Sequence, residues 1–143
     1  MISGRCEVRV RFSDTDAMAV AHHSRHLAWF EVGRTELMRA AGAVYAQLAR
    51  DGLHLPLIAA GLTYTAPARY DDLLSIETRV TRRSGVRVTF AYRIARADDG
   101  ADLATGWTEH VLVDARFQPV RFPPHLKDLL DGESSYVAST VAC

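Results

Sequence analysis

Asp14-Thr15-Asp16-Ala17-Met18-Ala19-Val20-Ala21-His22-His23 joins a short alternating segment to a long amphipathic one. Upstream, Val8, Val10 and Phe12 alternate with Glu7, Arg9 and Arg11, so residues 6–13 read as a half-buried strand. Downstream, Ser24 is placed to cap a helix over residues 25–41. Leu27, Phe30, Leu37, Met38 and Ala41 form its apolar face, Trp29, Val32 and Gly33 widen that face, and Gly42 is a stop signal. The loop therefore delivers a carboxylate at a strand end, beside the unpaired N–H groups of a helix start. A base or nucleophile next to donors aimed at developing negative charge suits attack on a carbonyl. The same spacing also suits an acid that caps a turn or the helix, and on spacing alone this plainer role is favoured for Asp16, with Asp14 competing for either.

Beyond the helix the pattern changes. A second short helix spans residues 44–50 and ends at Asp51-Gly52. Residues 55–65, 73–82, 86–96 and 103–114 read as strands, separated by turn signals over 67–72, at Ser84-Gly85 and at Asp98-Asp99-Gly100. Pro123-Pro124 opens a final short helix through residue 130, and residues 132–143 read as a frayed tail. Strand, long helix, then four antiparallel strands make an α+β domain in which one sheet face must be buried on the helix. No internal repeat or linker divides residues 1–143, so a single domain is expected.

Composition narrows the functions open to such a domain. The 143 residues carry 17 basic and 17 acidic groups, which argues against general capture of nucleic acid or an anionic membrane. Cys6 and Cys143 are the two cysteines, too few for a disulfide framework, and the N-terminal residues lack a signal-peptide pattern. No apolar run approaches the roughly 20 residues of a membrane helix. A cytoplasmic protein is expected. The absence of a Gly-rich phosphate loop removes dinucleotide and P-loop readings.

Arg11-Phe12-Ser13-Asp14-Thr15-Asp16, followed by Val20, His23, Leu27, Phe30-Glu31 and Arg34-Thr35-Glu36, resembles the hotdog-fold acyl-CoA thioesterases, in their 4-hydroxybenzoyl-CoA thioesterase-like branch. Ala66-Pro67-Ala68-Arg69-Tyr70-Asp71-Asp72 and the stretches 106–114 and 119–123 extend the likeness over residues 5–130. The resemblance implies an antiparallel sheet wrapped around the long helix. It implies a homo-oligomer, a dimer or a homotetramer built from dimers, with sites between subunits. It also implies hydrolysis of an acyl-CoA thioester without metal or organic cofactor. Carried onto this chain, the family's catalytic carboxylate is Asp16, and the helix-start amide that polarises the carbonyl is that of His23, whose side chain takes part in some members. Two departures stand out: Ala19 occupies a bend where glycine is common, and His26 stands where a phenol is common.

Thioester hydrolysis needs a positioned carboxylate or activated water and a donor for the oxyanion, since the thiolate leaves readily. Asp16 and the His23 amide supply these two parts. His22 and His26 are four apart and raise the question of a metal, but no carboxylate follows His22 as in zinc proteases, so pocket lining or a backbone hydrogen bond is expected and no metal. Arg79, Arg82, Arg83 and Arg87 make a basic rim around a turn. Arg82 and Arg83 are the candidates to hold the phosphates of CoA. Glu31 and Arg34 read as an i,i+3 ion pair, and Tyr64, Phe90 and Trp107 as core residues. Two other functions fit the same pattern: an enoyl-CoA hydratase on this fold, and an acyl-CoA-binding protein without catalysis.

Overall fold

The computed structural model describes residues 1–141. Along the chain run β1 (Ser3–Arg9), a single 3₁₀ turn (Phe12–Asp14), α1 (Arg25–Ala41), α2 (Tyr45–Arg50), β2 (Leu57–Tyr64), β3 (Leu73–Arg83), β4 (Arg87–Arg96), β5 (Asp102–Val111), α3 (Pro124–Asp131) and β6 (Ser135–Val141). The strands form one sheet in the order β2-β5-β4-β3-β1-β6. All neighbours are antiparallel except β1 and β6.

Alternation decides which side of the sheet is covered. Leu74, Ile76, Thr78 and Val80 of β3 are buried, as are Val88, Phe90, Tyr92 and Ile94 of β4, while most residues between them are partly or fully exposed. α1 lies on this covered face through His26, Trp29, Phe30, Gly33, Leu37 and Met38. Phe30 stacks on Tyr92 with ring centroids 4.3 Å apart, and Gly33 lets the helix come down onto β3. Each fully buried side chain of this size, such as Phe30, Phe90 or Leu74, contributes about 1.5–3 kcal/mol by leaving water. Gly42 ends α1 at φ 99°, a left-handed conformation, with its N–H turned back to Arg39 and Met38 carbonyls.

Several expectations are corrected. The first strand is shifted toward the N-terminus, and Phe12 is 77% exposed instead of lining up with Val8 and Val10, because the chain leaves the sheet to wind the turn at Phe12–Asp14. Leu27 is exposed: the buried stripe of α1 runs through positions 26, 29, 30, 33 and 37, a phase that turns Leu27 away. Residues 135–141 are no frayed tail. They form β6, which covers the free edge of β1 in parallel register, Ser3 opposite Ser135 and Arg5 opposite Val137. Residues 142–143, including Cys143, lie outside the described residues. Trp107 and Tyr64 are half exposed, whereas Phe90 is fully buried as expected. Trp107 lies on the opposite sheet face over Gly61, in an open groove of about 930 Å³ floored also by Ala91 and Thr105. No helix among the described residues is long and apolar enough to cross a membrane.

Candidate active site

The loop between β1 and α1 is held at both ends. Val10 N–H donates to the Asp72 carbonyl (2.9 Å) as the strand finishes. Asp14 then folds back: one carboxylate oxygen accepts the Arg11 N–H (2.8 Å), and the other lies 3.5 Å from Nε of Arg25 in the first turn of α1. Asp14 is buried, and it ties the strand exit to the helix start. Of the two roles for which Asp14 competes in the sequence, the structure thus gives it the plainer one. Further along, His22 N–H donates to the Asp14 carbonyl and Ala21 N–H to that of Ala68, both at 2.8 Å.

Asp16 sits at the tip between these anchors. Its N–H donates to the Val20 carbonyl (3.0 Å), its carbonyl accepts from Ala19 N–H (2.9 Å), and its Oδ1 accepts from Met18 N–H (2.9 Å). The bend forces Ala19 to φ 61°, where an L-residue is strained by roughly 1–2 kcal/mol. The alanine thus adopts the conformation in which glycine is usual. Oδ2 of Asp16 has no donor among the described residues, and the side chain is only half buried.

At the helix start, Ser24 occupies the cap position without capping. Its φ and ψ are already helical (−65° and −23°), and its Oγ donates to Nδ1 of His22 at 2.7 Å. Ser24 N–H approaches the same nitrogen at 3.3 Å, which makes Nδ1 of His22 the acceptor. His22 therefore precedes α1 and does not share a helical face with His26. Among the described residues no group of three His, Cys, Asp or Glu side chains is arranged to hold a metal. The His23 carbonyl accepts from the Tyr64 hydroxyl (2.9 Å) and from Nδ1–H of His26 (3.2 Å). The His26 ring is buried and packed edge-on against Tyr64 and Trp29, and burial lowers its pKa, so it is held neutral. His23 N–H donates to no acceptor among the described residues. One loop thus carries both Asp16, with a carboxylate oxygen that has no donor, and His23, with an amide that has no acceptor among the described residues.

The arginines fall elsewhere. Arg82 and Arg83 close the end of β3 opposite Leu73, which pairs with Arg9 near the loop. Ten residues of strand set them roughly 30 Å away along the sheet. Arg83 is engaged by Asp131 of α3, Nε to Oδ1 at 2.6 Å and a terminal nitrogen to Oδ2 at 2.8 Å, and its guanidinium lies over Phe122. Arg87 pairs with Glu109. Arg82 is exposed, with no partner among the described residues. The Glu31–Arg34 pair is corrected too: Arg34 faces inward and donates to the hydroxyls of Tyr45 and Tyr92, both at 3.2 Å. Tyr64, read from the sequence as a core residue, is the site residue whose role that reading misses. It acts 41 positions from His23, through sheet packing that no local spacing encodes.

The model of the thioesterase-like superfamily matches residues 10–130. The acyl-CoA thioesterase YbgC of Haemophilus influenzae is 33% identical over 122 residues, covering 84% of this chain and 88% of that protein. The acyl-CoA thioester hydrolase YbgC of Escherichia coli is 35% identical over 95 residues, covering 66% and 71% respectively. Among solved structures, the DHNA-CoA thioesterase of Staphylococcus aureus superposes with a TM-score of 0.86 at 27% identity, over 90% of this chain and 89% of that one. The expectations of a hotdog fold and of a thioester-hydrolase family are borne out: the chain belongs to the thioesterase-like superfamily.

Proposed function

We propose that this chain hydrolyses acyl-CoA thioesters, with Asp16 as nucleophile or general base and the His23 amide as the oxyanion donor. One observation carries the reading: the same short loop holds a carboxylate fixed through Oδ1 with Oδ2 left over, and an amide at a helix start with no acceptor of its own. The carboxylate, or a water it deprotonates, adds to the thioester carbon. Negative charge gathers on the carbonyl oxygen and is met by the N–H at the positive end of α1. The C–S bond then breaks and CoA leaves as thiolate: where water has added, the free acid remains and Asp16 holds the proton, and where the carboxylate has added, an acyl anhydride on Asp16 remains, which a water then cleaves to the free acid and Asp16. A single oxyanion donor is worth about 3 kcal/mol, and a placed base about 10²–10⁴ in rate, so the two parts account for a substantial acceleration without a cofactor.

The functional unit is a homo-oligomer. β2 is an edge strand whose outer side carries no partner among the described residues, yet Leu57, Ile58 and Tyr64 on it are close to half exposed. An open edge with apolar side chains is a template for pairing with another copy. Antiparallel pairing of two β2 strands brings the Leu57 end of one beside the Tyr64 end of the other, next to Asp16 and His23. It also brings Arg82 of the partner subunit toward this site, which restores a phosphate-binding role that Arg82 cannot fill within its own chain. Arg83 is excluded from that role by its carboxylate partner. His22, fixed by Ser24, is proposed as a residue that lines the substrate pocket.

The test is CoA release from a panel of aromatic, short-chain and long-chain acyl-CoA thioesters, with hydration of an enoyl-CoA measured alongside. Hydrolysis of at least one acyl class, faster than any hydration, is expected. Tight binding of CoA thioesters without turnover of any would replace this reading with that of a binding protein, and dominant hydration with that of a hydratase.

A further inference from the structure

We infer that Tyr64 and His26 are a positioning pair that fixes the peptide following His23 and so, through the backbone torsions of His23, sets the aim of the His23 N–H at the substrate oxygen. The inference rests on the thioesterase reading above and adds two residues to it. A carbonyl oxygen only accepts, so both contacts to His23 are donations: O–H from Tyr64 at 2.9 Å and Nδ1–H from His26 at 3.2 Å. They fill both lone pairs of one oxygen. Upstream, His22 N–H is held by the Asp14 carbonyl. The peptide that carries the His23 N–H is held by its own carbonyl, that of His22, which accepts from Arg25 N–H (3.0 Å), and the His23 N–H is left without an acceptor among the described residues.

The clamp also decides where α1 begins. Ser24 already has helical dihedrals, so the helix stands one residue short of including His23. In a helix continued by one residue, the His23 carbonyl would turn to accept the N–H four residues on, and its peptide would rotate. Tyr64 and His26 hold that carbonyl out of the ladder. The two donors reach it from different elements, β2 and α1, and their rings brace each other edge-to-face with centroids 4.8 Å apart. The neutral state of His26 suits a ring that donates through one nitrogen. Because Tyr64 sits on the open edge strand, the aim of the amide is tied to the strand that would meet a second subunit.

The experiment compares wild type with Tyr64→Phe, His26→Phe and the double variant, all of which keep the aromatic packing. Steady-state kcat and KM on the best acyl-CoA of the panel are measured with the thermal midpoint and the backbone N–H resonance of His23. Each single variant should lower kcat about tenfold at little-changed KM, since misaimed groups lose rate more than binding. The double variant should lose more than the product of the singles, because one donor alone still restrains the carbonyl. The His23 resonance should shift and broaden in Tyr64→Phe while the midpoint moves by only a few degrees. Unchanged kcat in the double variant, or a His23 resonance identical to wild type, would overturn the inference. So would a loss of activity that merely tracks the fraction unfolded. The resonance reads the clamp without turnover, so an inactive wild type with a shifted resonance would sink the thioesterase reading and leave the clamp standing.

Discussion

Asp14 and Asp16 are chemically equivalent in the sequence and end in opposite states. Asp14 spends both oxygens on Arg11 and Arg25, while Asp16 keeps one free. Family likeness separated them; spacing alone does not, because which carboxylate faces inward depends on how the strand exit winds. The same holds for His110, a residue the sequence leaves unmarked. Buried completely, it donates Nδ1–H to the Leu55 carbonyl and accepts at Nε2 from Thr108, whose oxygen in turn accepts from Tyr92, itself bonded to Arg34. Burial, and after it the charge of Arg34, pulls the His110 pKa from 6.5 to about 4. His110 is thus neutral when folded and titrates near 6.5 when unfolded. Its stabilising effect is complete above pH 6.5 and is lost as pH falls through that window toward 4, amounting in full to on the order of 3 kcal/mol. Thermal midpoints at pH 7.5 and 4.5 should therefore diverge less in His110→Gln than in wild type. Equal divergence would contradict the assignment.

Among elements, α1 was the most legible, since its period, its glycine stop and its length all show in the residues. Its exact phase was not, and Leu27 fell on the wrong side because the deciding contact is tertiary: Gly33 against β3. A methyl group at Gly33 would sit 2.4 Å from Oγ1 of Thr78 and 2.8 Å from Cγ2 of Ile76. Both neighbours are buried side chains with nowhere to yield, so the helix would have to lift. Gly33→Ala should cost about 1–3 kcal/mol, read as a lower urea midpoint at unchanged slope. A midpoint equal to wild type would mean that the helix does not rest on the sheet there. β6 was hidden for a different reason. Its residues have β character, but only the free edge of β1, some 130 positions earlier, gives them a partner. The Arg83–Asp131 pair that docks α3 beside β3 is likewise long-range.

Over the whole molecule, the order of strands and helix was enough for the α+β class, the family likeness supplied the hotdog architecture, and the comparisons bear both out, with β6 the strand left unread. The proposed assembly rests on a surface property the sequence does not display, namely which strand is left at an edge. Light scattering should give the wild type at least twice the 15.8 kDa chain mass. Ile58→Glu, on the exposed edge of β2, should shift it toward the single-chain mass and remove hydrolysis together with assembly. A wild type of single-chain mass would contradict assembly through that edge. The central claim is that Asp16 performs the chemistry, and Asp16→Asn tests it most directly, since the amide keeps an oxygen to accept the Met18 N–H and removes only the basic and nucleophilic carboxylate. Hydrolysis of the preferred acyl-CoA by the folded, oligomeric variant should fall by about 10²–10⁴ in kcat with binding retained. A variant as fast as wild type would contradict the account.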